Sequence, residues 1–174
     1  MLRPNALRRI LPFSLLLAAI TVFATPQTSE PAPHFHAKTI TGENFANDSI
    51  KGKIVLLDFW TTWCQYCAEE AGYVDQLNKD SADKGLLVLA VNVGESKKTV
   101  NKYLAAHPRT SRVVLTDDTN LAAMYAATVY PIYVVIDRDG NIAATQRGAA
   151  GDTALHRLLA KAGLQIPNTG DDSD

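Results

Sequence analysis

Residues 54–67 read IVLLDFWTTWCQYC, and this stretch decides the fold. Ile54 to Phe59 is an apolar run without alternation, the pattern of a strand buried on both faces. From Cys64 to about Lys79 the apolar residues Ala71, Val74 and Leu77 recur at helical spacing. The strand therefore delivers the chain directly into a C-x-x-C pair, Cys64 and Cys67. That places both cysteines at a strand's C-terminal end and a helix's N-terminus, the edge where open α/β sheets bind their ligands.

Outward from this unit the strand-helix pattern continues. Leu86 to Val93 (LLVLAVNV) reads as a second buried strand. Ser96 to His107 reads as a helix capped by Ser96, with Pro108 past its end. Arg112 to Leu115 is predicted as a short strand and Asn120 to Ala127 as a short helix. Ile132 to Ile136 and Ile142 to Gln146 pair as a hairpin around DRDG. Asp152 to Ala162 closes the chain as a helix, with Asp152 as cap and Gly163 beyond it. His34 and His36 flank Phe35 and are expected on a short edge strand. Strands alternating with helices and ending in a hairpin imply a layered α/β domain.

The chain has 174 residues, 47% of them hydrophobic, which implies one domain with a real core. Residues 1–24 are a separate object. Arg3, Arg8 and Arg9 precede a mostly apolar run from Leu11 to Ala24, and Val22-Phe23-Ala24 resembles a cleavage site. Fourteen residues fall short of the roughly 20 that span a bilayer as a helix. The reading is a cleaved export signal, with an uncleaved N-terminal anchor as the alternative. Residues 25–33 are rich in Pro, Ser and Thr and read as a flexible spacer. Residues 34–166 form the domain, and 167–174 read as a disordered tail. Residues 1–24 carry three arginines and no acid, so cleavage moves the net charge from −1 to −4. Neither value favours nucleic acid or an anionic membrane as a partner. Export places the cysteines outside the cytosol, where thiol pairs tend to be oxidised.

A helix N-terminus offers free N–H groups and partial positive charge, which favour thiolate over thiol. Cys64, at the helix start, is expected to be the exposed member and to attack a substrate disulfide. Cys67, one turn in, resolves the mixed disulfide. Resolution needs a proton acceptor for Cys67, and two carboxylates qualify. Asp58 lies inside the apolar strand, an expensive place for a charge. Glu70 sits about 60° from Cys67 around the helix, on the face of Val74 and Leu77. The ordinary alternatives are an Asp58 that points outward at a sheet edge and a Glu70 that snorkels at the rim.

Other readings of the pair are weaker. A structural zinc site needs four ligands, and His34, His36, His107 and His156 are not at paired spacing from the cysteines. Copper transfer is the competing reading from that class. Thr61 to Cys64 matches the T-x-x-C of peroxidases, but Leu57 stands where their proline belongs and the second cysteine is too close. A staple that encloses two residues adds little stability.

These residues resemble the thioredoxin superfamily, and most closely its TlpA/ResA/DsbE-like branch of exported thiol-disulfide oxidoreductases. The resemblance runs from about Pro33 to Leu164. It rests on KGKIVLLDFWTTWCQYC, the Glu70 that follows, VYPIYVVIDRDGNI, and Gly148 in QRG. It implies a thioredoxin-like fold, a central mixed sheet flanked by helices, with the branch's helix-strand-helix insertion over Ser96 to Thr128. It implies a protein-disulfide reductase in the periplasm that works through the Cys64–Cys67 disulfide without a separate cofactor. The implied partners are client proteins, for example in cytochrome c maturation, and a membrane electron donor of the DsbD/CcdA type. A monomer is expected, and a thiol oxidase or isomerase is the alternative activity. Pro131 matches the family's cis-proline, and the Tyr130 backbone its substrate-strand contact. Trp63, Gln65, Tyr66, Tyr130 and Pro131 are the expected substrate groove. Tyr66, Gly72 and Tyr130 depart from the family's usual Pro, Pro and Thr.

Overall fold

The computed structural model describes residues 30–166. The expected export signal or anchor, the first part of the spacer and the tail lie outside them. The strands are β1 (Glu30–Pro31), β2 (His36–Thr39), β3 (Asn44–Ala46), β4 (Ile54–Trp60), β5 (Leu86–Asn92), β6 (Arg112–Thr119), β7 (Ile132–Ile136) and β8 (Asn141–Arg147). The helices are α1 (Gln65–Asp80), α2 (Lys97–Ala106), α3 (Leu121–Met124) and α4 (Asp152–Lys161). The strands form one sheet in the order β1-β8-β7-β4-β5-β6-β2-β3.

The run IVLLDFW sits in the middle of this sheet. β4 pairs parallel with β5 and antiparallel with β7, and all seven of its residues are buried. A strand covered on both faces has no use for alternation, which is why the run shows none. Successive side chains still point to opposite faces. Val55, Leu57 and Phe59 pack with Leu89, Val134 and Leu121 on one side. Ile54 and Leu56 pack on the other with Val74 and Leu77 of α1 and with Leu155 and Leu159 of α4. Asp58 and Trp60 belong by parity to this second, α1-covered face.

Four expectations need adjustment. Glu30–Pro31, assigned to the spacer, is a strand paired with β8, and Ala32 behind it is buried. Only His36 lies in β2, which pairs with both β3 and β6 and so is not an edge. β6 runs on to Thr119, because β2 and β5 both pair with it, and α3 is one short turn. Gly151, not Asp152, takes the N-cap position of α4, at φ 72°. That positive φ suits glycine, which has no Cβ to clash there. Ser96 caps α2 as expected, accepting from the Thr99 N–H at 3.2 Å.

Candidate active site

At Trp60 the chain leaves the sheet and Thr61-Thr62-Trp63 crosses to α1. Glu95 holds this crossing in place. Its carboxylate accepts from the Thr62 N–H at 2.7 Å, the Thr62 hydroxyl at 2.5 Å and the Asn92 side-chain N–H at 2.7 Å. Cys64 then occupies the N-cap of α1, and its Sγ accepts from the Cys67 N–H at 3.1 Å. A cap position with a free N–H aimed at sulfur favours negative charge on that sulfur. Cys64 and Cys67 are joined as a disulfide. Their exposures are 7% and 4%, so the expected contrast between an exposed Cys64 and a covered Cys67 is slight in this oxidised state.

Two aromatic residues beside the pair are open to solvent. Trp63 is 71% exposed and Tyr66 60%. Trp63 meets the Tyr130 ring edge-on, with centroids 5.8 Å apart. The Tyr130–Pro131 peptide is cis, as the resemblance implies. The Pro131 carbonyl accepts from the Gly148 N–H at 2.8 Å, and β7 starts one residue later, opposite the end of β4. Tyr130 packs against the buried cluster that holds Cys64 and Cys67, and Trp63 and Tyr66 flank Cys64 in the chain. Gln65 is exposed beside them and donates to Glu69 at 2.9 Å.

Both candidate carboxylates are buried, Asp58 at 2% and Glu70 at 5%. Neither the outward-pointing Asp58 nor the snorkelling Glu70 is found. Their surroundings differ. One Glu70 oxygen accepts from the Tyr133 hydroxyl at 2.7 Å. The other accepts from the Ala150 N–H at 2.7 Å and from the Gly151 N–H. Burial raises the Tyr133 phenol far above its usual pKa, aided by the Asp58 charge and the Glu70 hydrogen bond, so it stays a donor. Glu70 thus ties α1 to β7 and to the start of α4.

Asp58 has one strong partner, Arg109, whose Nη2 donates to Oδ2 at 2.7 Å. Burial pushes the Asp58 carboxyl above the usual carboxylate range. The charge and hydrogen bond of Arg109 pull against this, while Asp75 and Glu70 add to it. A carboxylate raised in this way can take a proton from a thiol more readily than a free one. Since the folded-state pKa exceeds the unfolded one, Asp58 favours folding at low pH, and that contribution is lost as pH rises through the folded value.

Arg109, Glu95 and Asp75 had no motif to mark them. The only cue to Arg109 was Pro108 before it, which placed it in the loop that ends α2.

A buried disulfide at the N-terminus of the helix that follows the central strand, in a sheet whose β7 begins just after a cis-proline, defines a thiol-disulfide oxidoreductase of thioredoxin-like fold. The AhpC/TSA family model matches residues 28–145, and the chain belongs to this family. The thiol-disulfide oxidoreductase ResA of Bacillus subtilis strain 168 is 30% identical over 128 residues, covering 74% of this chain and 72% of ResA. The thioredoxin-like protein YneN of the same strain is 36% identical over 119 residues, 67% of this chain and 69% of YneN. Among solved structures, a Chlorobium tepidum protein assigned as thiol:disulfide interchange protein DsbE superposes with a TM-score of 0.70 at 27% identity. The match covers 77% of this chain and 96% of that one.

Proposed function

We propose that this oxidoreductase is a periplasmic reductase of protein disulfides, exported by residues 1–24. Cys64 attacks the client disulfide, one client sulfur leaves as a thiol, and the other stays bonded to Cys64. Asp58 accepts the Cys67 proton, and the Cys67 thiolate displaces the client from Cys64. The client gains two electrons and the protein ends as the disulfide. Glu70 holds the Gly151 loop, and Trp63, Gln65, Tyr66, Tyr130 and Pro131 receive the client chain. Cytochrome c maturation is a client pathway consistent with the resemblance, and a membrane donor of the DsbD/CcdA type returns the electrons. The observation that carries the reading is the disulfide between Cys64 and Cys67 at the cap of α1. For the peroxidase reading, the buried Thr61 hydroxyl has no hydrogen-bond partner among the described residues, Cys64 included.

The deciding experiment is the reduction potential of the pair, by equilibration with glutathione. A value near about −270 mV supports the reductase, and one near about −120 mV replaces it with a thiol oxidase.

The role of Asp58 has its own signature in pH. Resolution of the mixed disulfide slows as pH falls through the raised Asp58 pKa, because the acceptor is then already protonated. In Asp58→Asn this acidic limb disappears and resolution at neutral pH slows by roughly a hundredfold, while Cys64 attack is little changed. Stopped-flow resolution rates across pH 4 to 8 check it. An unaltered acidic limb in the variant removes Asp58 from the mechanism.

A further inference from the structure

The carboxylate assigned to Cys67 carries its own cation. Arg109 and Asp58 form an ion pair in which both side chains are almost wholly buried, at 4% and 3% exposure. A buried pair of this kind is poor evidence for stability, since desolvation of two ions cancels much of their attraction. Its position is more telling. Arg109 lines a cavity of about 310 Å³ together with Cys67, Trp60, Ala71, Asp75 and His107. The guanidinium carbon lies 5.1 Å from the centre of the Trp60 ring. Two buried donors on that lining, the Arg109 Nε–H and the Trp60 indole N–H, have no acceptor among the described residues. Cys67 is on the same lining.

The Arg109 loop is fastened to the helix that carries Cys67. Asp75, two turns further along α1, accepts from the Thr110 N–H at 3.1 Å and from the Ser111 N–H at 3.3 Å. The Thr110 hydroxyl donates to the Asp75 carbonyl at 3.1 Å, and Asn78 donates to the Thr110 carbonyl at 2.9 Å. Arg109 therefore reaches Asp58 from a loop that cannot drift from α1.

We infer that Arg109 is the fixed counter-charge of the resolving step, shared between the Asp58 carboxylate and the Cys67 thiolate. Before transfer the site holds Asp58 ionised, Cys67 protonated and Arg109 charged. After transfer it holds Asp58 protonated, Cys67 as thiolate and Arg109 charged. The proton moves between two acids while one cation and one anion persist, so no net charge is created in a region where a lone charge is costly. Sulfur then bonds to sulfur, the client sulfur leaves with the electron pair of the broken bond, and solvent supplies its proton. Arg109 is a positioning residue and touches no client. The other charged or titratable groups facing this site are Asp75 and Glu70 on α1, Tyr133 on β7, Tyr103 on α2 and His107 at its end.

The test reads Cys67 alone, in a reduced Cys64→Ser background, by the pH midpoint of its alkylation with iodoacetamide. Adding Arg109→Gln is expected to raise the midpoint by about one unit, which is about tenfold less thiolate at a given pH. Arg109→Lys keeps the charge and holds the midpoint near that of the parent. In a Cys67→Ser background, Arg109→Gln leaves the Cys64 midpoint in place. An unmoved Cys67 midpoint in Arg109→Gln overturns the inference, and so does an equal rise at Cys64. If Arg109→Gln does not fold, as circular dichroism shows, Arg109→Lys carries the test, and a one-unit rise there overturns it. The inference rests on the proposed resolving role of Cys67. Alkylation midpoints do not depend on client or redox direction, so a failed reductase assignment, read from the potential, is separable from a failed Arg109 assignment.

Discussion

A Cys67→Ser variant captures its client and keeps it. Cys64 retains its place at the N-cap of α1 and the positive end of the helix, so attack on a protein disulfide proceeds. The next step has lost its nucleophile. In the native protein that nucleophile is held three residues away, within bonding distance of Cys64. An attacking group held in this way acts at an effective concentration of about 10⁵ M or more, so millimolar external thiols replace it at no more than about 10⁻⁸ of its rate. Client turnover in an insulin reduction assay falls accordingly, and the covalent complex accumulates on non-reducing gels. A Cys64→Ser variant gives no complex. If Cys67→Ser turns over normally, or if Cys64→Ser forms the complex instead, the order of the two cysteines is wrong.

Replacing Glu70 with alanine has the largest expected effect on stability. Three donors lose their acceptor together, the Tyr133 hydroxyl and the Ala150 and Gly151 N–H groups, while the Glu70 site itself is 5% exposed. Water can reach some of them after local rearrangement. The expected loss is about 3 to 5 kcal/mol, from buried hydrogen bonds to a charged acceptor. This corresponds to a fall of roughly 10 to 17 °C in Tm for a domain of this size. Glu70→Gln keeps one acceptor oxygen but turns an N–H₂ toward donors, and its loss is intermediate. Urea denaturation of the oxidised protein measures both. A loss below about 1 kcal/mol in Glu70→Ala contradicts the clamp. Mixed-disulfide resolution in the same variants separates the clamp from direct proton transfer. A clamp that only positions the loop leaves the acidic limb of the resolution profile in place, and Asp58→Asn abolishes it.

The two carboxylates show how far local pattern reaches. Asp58 was conspicuous because a charge in a buried strand has a high cost and needs a reason. Glu70 was conspicuous because helical geometry put it on the face of Val74 and Leu77. Both readings use only the few residues on either side, and both side chains are buried. What each carboxylate touches was not legible. Asp58 meets Arg109 across a separation of 51 residues, and Glu70 meets Tyr133 across 63. Glu95 reaches Thr62 across 33. An arginine in a loop after a proline, or a glutamate before a helix, looks the same whether it faces water or an active site.

The elements themselves follow the same division. β4, β5, α1 and α2 were readable because continuous apolar runs and 3.6-residue spacing are properties of the chain alone. β1, the full length of β6 and the brevity of α3 depend on which strand lies alongside. Glu30–Pro31 is a strand because β8 is there to pair with it, and nothing in the pair Glu-Pro announces one.

By itself the sequence determined that a C-x-x-C pair would sit at the junction of a buried strand and a helix, with a carboxylate in that strand. Such features are set by backbone periodicity and by the reactivity of thiols at a helix start. Tertiary structure alone decided that Asp58 is paired with Arg109 beside Cys67, that Glu70 is saturated by Tyr133 and the start of α4, and that Glu95 grips the loop before Cys64. Those contacts join residues far apart in the chain, and only folding brings their charges and hydrogen bonds within reach of one another.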